Sequence, residues 1–220
     1  MIKSIALTVL LTAVVVAGIS QHFWVGKKRA MIDGMTERRL SQFEALSATH
    51  AAVVFVGDSI TEGGLWSEWL PGVDVINRGI SGNTTQDILD RMHHIVSVKP
   101  DKLFLMIGIN DLNKRLGAAV ALANYTKLFD LIDAQLPDIE VYIQSVLPVN
   151  AVWPLIDNTH IPTLNAALKQ HADERGYRYI DLHSVFSDEE GALKPDLSND
   201  GIHLLAPGYR LWRGHVEEFL

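Results

Sequence analysis

Ala51-Ala52-Val53-Val54-Phe55-Val56-Gly57-Asp58-Ser59-Ile60-Thr61-Glu62-Gly63-Gly64 is the stretch whose reading decides the fold. Its first six residues are apolar, rich in β-branched and aromatic types, and unbroken by a polar side chain. That pattern predicts a strand buried on both faces of a parallel sheet. The run stops at Gly57-Asp58-Ser59, so a small hydroxyl side chain stands just past the strand's carboxyl end. In open α/β sheets that edge is where ligands bind.

Outward from this strand the chain alternates. Upstream, 29–49 reads as an amphipathic helix, with Ile32, Met35, Leu40, Phe43 and Leu46 spaced among charges. Downstream come a short helix or turn over 63–70 and a second strand over 73–77. The small-residue turn Arg78-Gly79-Ile80-Ser81-Gly82-Asn83-Thr84-Thr85 follows. A helix then reaches about residue 96, with Thr84 and Asp87 at capping-box spacing and Ile88, Leu89, Met92, Ile95 and Val96 on its inner face. Further strands are predicted over 103–107, 140–146 and 177–181, and further helices over 118–136, 162–174 and 206–219. Five strands alternating with helices predict a three-layer α/β/α domain around a five-stranded parallel sheet, because right-handed crossovers lay each helix back on the sheet.

Composition sets the outer bounds. The 220 residues are 48% hydrophobic and 20% charged, enough for one substantial core. A net charge of −7 gives a nucleic-acid partner no electrostatic footprint. The absence of cysteine excludes disulfides, thiolate metal sites and a cysteine nucleophile. Residues 1–28 stand apart from the domain expected over 29–220. Ile5 to Ile19 is an apolar run preceded by Lys3, and it continues through Phe23-Trp24-Val25 to Lys27-Lys28-Arg29. This reads as a signal peptide or membrane anchor, placing the domain in the cell envelope: periplasmic, secreted, or tethered with membrane contact through this segment.

Polar residues gather where strands end: Ser59 after the first, Gly82 after the second, Asn110 after the third, and Asp200 and His203 after the fifth. All these ends open on one edge of a parallel sheet, so distant residues converge there. A serine hydroxyl needs a base, and His203 can serve. Asp200, three residues earlier, can fold under the ring and fix its tautomer. The backbone N–H groups of Ser59 and Gly82 and the Asn110 amide can point at a developing oxyanion. Each residue also has a duller reading: Ser59 as a helix cap, Asn110 and Asp200 as turn formers, Gly82 as a turn glycine.

Gly57-Asp58-Ser59, Gly82 in Ile80-Ser81-Gly82-Asn83-Thr84, Asn110 in Gly108-Ile109-Asn110-Asp111, and Asp200-Gly201-Ile202-His203 resemble the four sequence blocks of the SGNH (GDSL-type) hydrolase superfamily. Asn77-Arg78-Gly79-Ile80-Ser81-Gly82 and Gln144-Ser145-Val146-Leu147-Pro148 are similar to its bacterial branch related to platelet-activating-factor acetylhydrolase subunits. The resemblance implies a flavodoxin-like sheet, Ser59 as nucleophile, Asp200 and His203 as the rest of a triad, and Ser59, Gly82 and Asn110 as oxyanion hole. It implies an acylhydrolase that needs no cofactor or metal and takes small-molecule, lipid or sugar esters. Asn83 departs from the pattern, since many relatives carry Asp there.

Carbohydrate O-acetylesterase and lysophospholipase chemistry fit the same residues. More distant alternatives are a metal-dependent phosphoesterase drafting Asp58, Asn110 and His203, and a non-catalytic envelope binding protein. Trp66, Trp69 and Trp153 are expected in loops near the site edge, where they line an apolar pocket, stack on a sugar, or simply cover the sheet ends.

Overall fold

The structure, a computed structural model, describes residues 34–46 and 51–220. The segment 1–28 read as signal or anchor lies outside the described residues. The chain divides into two compact units, Met1–Ser41 and Gln42–Leu220. Helix α1 spans residues 34–45; residues 29–33 and 47–49 of the helix expected here lie outside the described residues. Among the described residues no helix is long and apolar enough to cross a membrane.

Within the larger unit, strands β1 (Val53–Gly57), β2 (Val75–Gly79), β3 (Lys102–Met106), β4 (Glu140–Gln144) and β5 (Arg178–Ile180) form one sheet in the order β2-β1-β3-β4-β5. Every pairing is parallel. Short helices α2 (Ser59–Glu62) and α3 (Trp66–Trp69) precede β2, and α4 (Thr85–Asp90) and α5 (His93–Val96) precede β3. Then come α6 (Ile109–Asn113) and α7 (Ala118–Gln135), α8 (His160–Arg175), α9 (Leu182–Phe186) and α10 (Ala206–Val216). Helix α7 packs against α4 and α8, whereas α10 packs against α3 and α9. These are the two helical layers of a flavodoxin-like three-layer fold.

Register explains how the sheet and one layer lock together. Phe55, Phe104 and Tyr142 are direct neighbours on β1, β3 and β4. Their rings stack across the sheet with centroids 4.9 and 4.5 Å apart. Trp66 extends the row, 4.0 Å from Phe55 and nearly coplanar with it. Trp212 of α10 meets Trp66 edge-on at 4.8 Å and donates its indole N–H to Gln144 Oε1 at 2.6 Å. Burying such rings removes large apolar areas from water, so this face anchors the helices that carry the loops above it.

Several element bounds differ from the sequence expectations: the strand expected over 140–146 ends at Gln144 and the helix expected over 206–219 ends at Val216. Strand β2 runs two residues later than 73–77, because its far end reaches Gly79 to pair with Gly57. The single helix expected up to residue 96 is interrupted at Arg91-Met92, giving α4 and α5. The capping box at its start does form: Thr84 Oγ1 accepts from the Asp87 N–H while Asp87 Oδ2 accepts from the Thr84 N–H.

Candidate active site

Ser59 opens α2 directly after β1. The preceding Asp58 caps this one-turn helix, its Oδ1 accepting the Ile60 N–H at 3.0 Å. The turn is pressed onto the end of β2, where a Cβ on Gly79 would collide with the Glu62 backbone nitrogen. Asp58 is almost fully buried, and burial pushes its carboxyl up to about 7, opposed by the Ile60 N–H and by the nearby His203. The folded state thus favours protonated Asp58. The stability it contributes is complete below the unfolded value near 4 and is lost as pH rises through about 7. Asp58→Asn keeps the capping oxygen and removes the titration. The thermal midpoint of this variant should fall less between pH 5 and 8 than that of the parent; identical slopes would contradict the assignment.

His203 arrives from the far end of the sequence. Asp200 organises the turn beneath it, Oδ1 accepting the N–H groups of Ile202 at 3.0 Å and His203 at 2.8 Å. Asp200 Oδ2 stands 2.6 Å from His203 Nδ1, and His203 Nε2 stands 2.9 Å from Ser59 Oγ. Partial burial acts against the Asp200 charge, yet hydrogen bonds from the His203 ring and the two backbone N–H groups hold its carboxyl down at about 2. An anionic carboxylate beside Nδ1 places the imidazole proton there, leaving Nε2 as acceptor for the serine hydroxyl.

The turn after β2 is held at almost every residue. Ile80 N–H donates to Gly57 O at 3.1 Å. Ser81 donates its N–H to Glu62 Oε2 at 2.7 Å, and its hydroxyl donates to the same oxygen. Gly82 sits at φ +79, a conformation suited to glycine, with its carbonyl accepting Lys114 Nζ at 2.9 Å. Asn110, buried at the start of α6, donates Nδ2 to Asn83 O at 3.0 Å. An amide nitrogen has two hydrogens, so one N–H remains to be offered elsewhere. The next residue, Asp111, is fully buried and accepts from the Thr85 N–H at 3.0 Å and hydroxyl at 2.6 Å, while Asn124 Nδ2 donates to that hydroxyl at 3.0 Å. Asp111 thereby joins α6 to the start of α4.

Residues 55–211 match the GDSL-like Lipase/Acylhydrolase family. The chain belongs to that family. Among solved structures, the chain resembles a protein from Streptococcus pneumonia described provisionally as a platelet activating factor, with TM-score 0.82, 26% identity, and coverage of 89% of this chain and 97% of that one. A GDSL-like lipase from Bacteroides thetaiotaomicron gives TM-score 0.73 and 26% identity over 83% of this chain and 95% of its own. Platelet-activating factor acetylhydrolase IB subunit alpha2 of Rattus norvegicus is 24% identical over 164 residues, 71% of this chain and 70% of that protein. An acetylxylan esterase of Geobacillus stearothermophilus is 49% identical over 41 residues; the match spans 18% of this chain and 19% of that enzyme. The protein is accordingly a hydrolase of ester bonds.

The three tryptophans singled out by the sequence separate in the structure. Trp66 is 2% exposed, stacks on Phe55, and donates its indole N–H to Thr61 O at 3.0 Å, so it is a core residue rather than a substrate contact. Trp69 is half-buried against the same core. Trp153 alone stands at the site, its ring edge-on to His203 with centroids 6.3 Å apart. A cavity of about 520 Å³ lies between the start of α7 and residues 154–160, lined by Leu112, Ala118, Pro154, Leu155 and Ile156 together with Arg115, Asp157 and His160. Leu116, Val120, Val152, Leu155 and Leu205, all exposed, also lie in segments that follow strand carboxyl ends. Of the adjacent His93 and His94, the first is exposed and the second buried. Among the described residues no group of three or more histidine and carboxylate side chains is gathered closely enough to hold a metal ion.

Proposed function

We propose that the chain is a serine esterase that works through an acyl-serine intermediate. The observation carrying this reading is the hydrogen-bonded series from Asp200 through His203 to Ser59, at 2.6 and 2.9 Å. As Ser59 Oγ bonds to the ester carbonyl carbon, His203 Nε2 takes the hydroxyl proton and Asp200 steadies the imidazolium. The carbonyl electrons move to oxygen, where the Ser59 and Gly82 N–H groups and the Asn110 amide receive the charge. Collapse breaks the bond to the alkoxy oxygen, which leaves with the proton from His203. Water repeats the sequence on the acyl-serine, releasing the acid and restoring the hydroxyl.

For the substrate, the apolar part of the cavity lining (Leu112, Ala118, Pro154, Leu155 and Ile156) and the exposed aliphatic side chains in segments that follow strand carboxyl ends support an ester with an extended apolar acyl chain. Each methylene buried there is worth about 0.8 kcal/mol, a factor of about four. Across p-nitrophenyl esters, kcat/KM should rise more than tenfold from acetate to hexanoate, with about two hundredfold as the limit if all four added methylenes are fully buried. A second reading, sugar O-acetylesterase, draws on the short acetylxylan esterase likeness. Faster turnover of acetylated xylo-oligosaccharides, with acetate the best p-nitrophenyl ester, would select that reading. No hydrolysis of any of these esters would overturn both.

A further inference from the structure

Arg91 lies where the inner-face spacing of Ile88, Met92 and Ile95 calls for an apolar residue, and it is only 3% exposed. Its Nε donates to Asn83 Oδ1 at 2.7 Å, and its Nη2 donates to Gly57 O at 3.1 Å. One planar fork thereby grips the last residue of β1, two positions before Ser59, and the side chain of the residue after Gly82. From Asn83 the connection continues, since its carbonyl accepts Asn110 Nδ2 at 3.0 Å. A guanidinium presents its donors in a fixed plane, so holding two acceptors fixes one relative to the other; a lysine ammonium on its flexible stem lacks this geometry.

We infer that Arg91, acting through Asn83, is a positioning residue for the oxyanion hole. It sets the spacing between the strand end that carries Ser59 and the Gly82 and Asn110 donors. The inference rests on the proposed function, in which those donors receive the oxyanion. A reacting group misplaced by about 1 Å can cost about a hundredfold in rate. Because the oxyanion forms during attack, the loss falls on kcat and not on KM.

The test uses the full chain with Arg91→Met, Asn83→Ala and the double variant. The readouts are p-nitrophenyl ester kinetics, and inhibition by an alkyl trifluoromethyl ketone whose serine adduct bears a full oxyanion. In each single variant kcat should fall at least about tenfold with KM within about twofold, and the ketone Ki should rise by a similar factor. The double variant should be no slower than the slower single variant, because the two side chains act as one unit. A merely structural role lowers the folded fraction, and with it apparent kcat, without moving Ki. Unchanged Ki in Asn83→Ala, or losses that multiply in the double variant, would overturn the inference. Asn83→Ala spares the guanidinium and keeps the readout if Arg91→Met does not fold. Failure of the underlying reading looks different: the parent enzyme itself would be untouched by the ketone, or Ser59→Ala would hydrolyse the ester at the parent rate.

Discussion

Ser59→Ala should remain folded and lose turnover by about 10⁴-fold or more. In the proposed mechanism the hydroxyl forms the covalent bond, and alanine offers nothing to His203 Nε2, 2.9 Å away. Only residual catalysis from binding and from the oxyanion donors would persist. The cost to the fold is small. Ser59 is half-buried, and the cap of α2 is the Asp58 side chain and not the serine side chain. The thermal midpoint should therefore stay within about 2 °C of the parent. If Ser59 were merely the first residue of a short helix, the variant would keep its kcat.

Asn110→Ala should lower kcat by roughly a hundredfold or more with little change in KM. One amide N–H is engaged by Asn83 O, which fixes the orientation of the other. The ground-state carbonyl is less charged than the oxyanion and lies slightly elsewhere, so the bond strengthens as attack proceeds. Removing the amide also leaves the Asn83 carbonyl without this donor, a loss of about 1–3 kcal/mol that lowers the thermal midpoint by several degrees. Melts run beside the kinetics separate the two effects. A folded Asn110→Ala with parental kcat would remove Asn110 from the hole; a kcat loss that merely tracks the unfolded fraction would make it a loop-ordering residue.

The sheet was legible because its strands are buried on both faces. Val53–Val56 and Leu103–Met106 run apolar without a break, and their short length, with Gly57 closing the first and Pro100 preceding the second, sets them apart from a buried helix segment. Once the strands were in order, Ser59, Gly82, Asn110 and His203 had to lie on one edge. What stayed hidden were buried polar partners widely separated in sequence: Asp111 with Thr85, 26 residues apart, and Arg91 with Gly57, 34 apart. Such pairings carry no periodicity. Arg91 did leave one trace, a charge within the apolar stripe of its helix, where a lone cation must find acceptors. Trp66 was misplaced for the opposite reason. Its neighbours Gly63-Gly64-Leu65 read as an open turn, yet the turn folds the indole back onto Phe55, and stacking across a sheet has no signature in the local sequence.

The acyl-serine is the centre of this account, and a covalent label tests it most directly. The intact protein would be treated with an alkyl fluorophosphonate, digested, and sequenced by tandem mass spectrometry. A single adduct on Ser59, abolished in Ser59→Ala and strongly slowed in His203→Ala, is the predicted result. Labelling at another residue, or full loss of esterase activity with Ser59 unmodified, would contradict it.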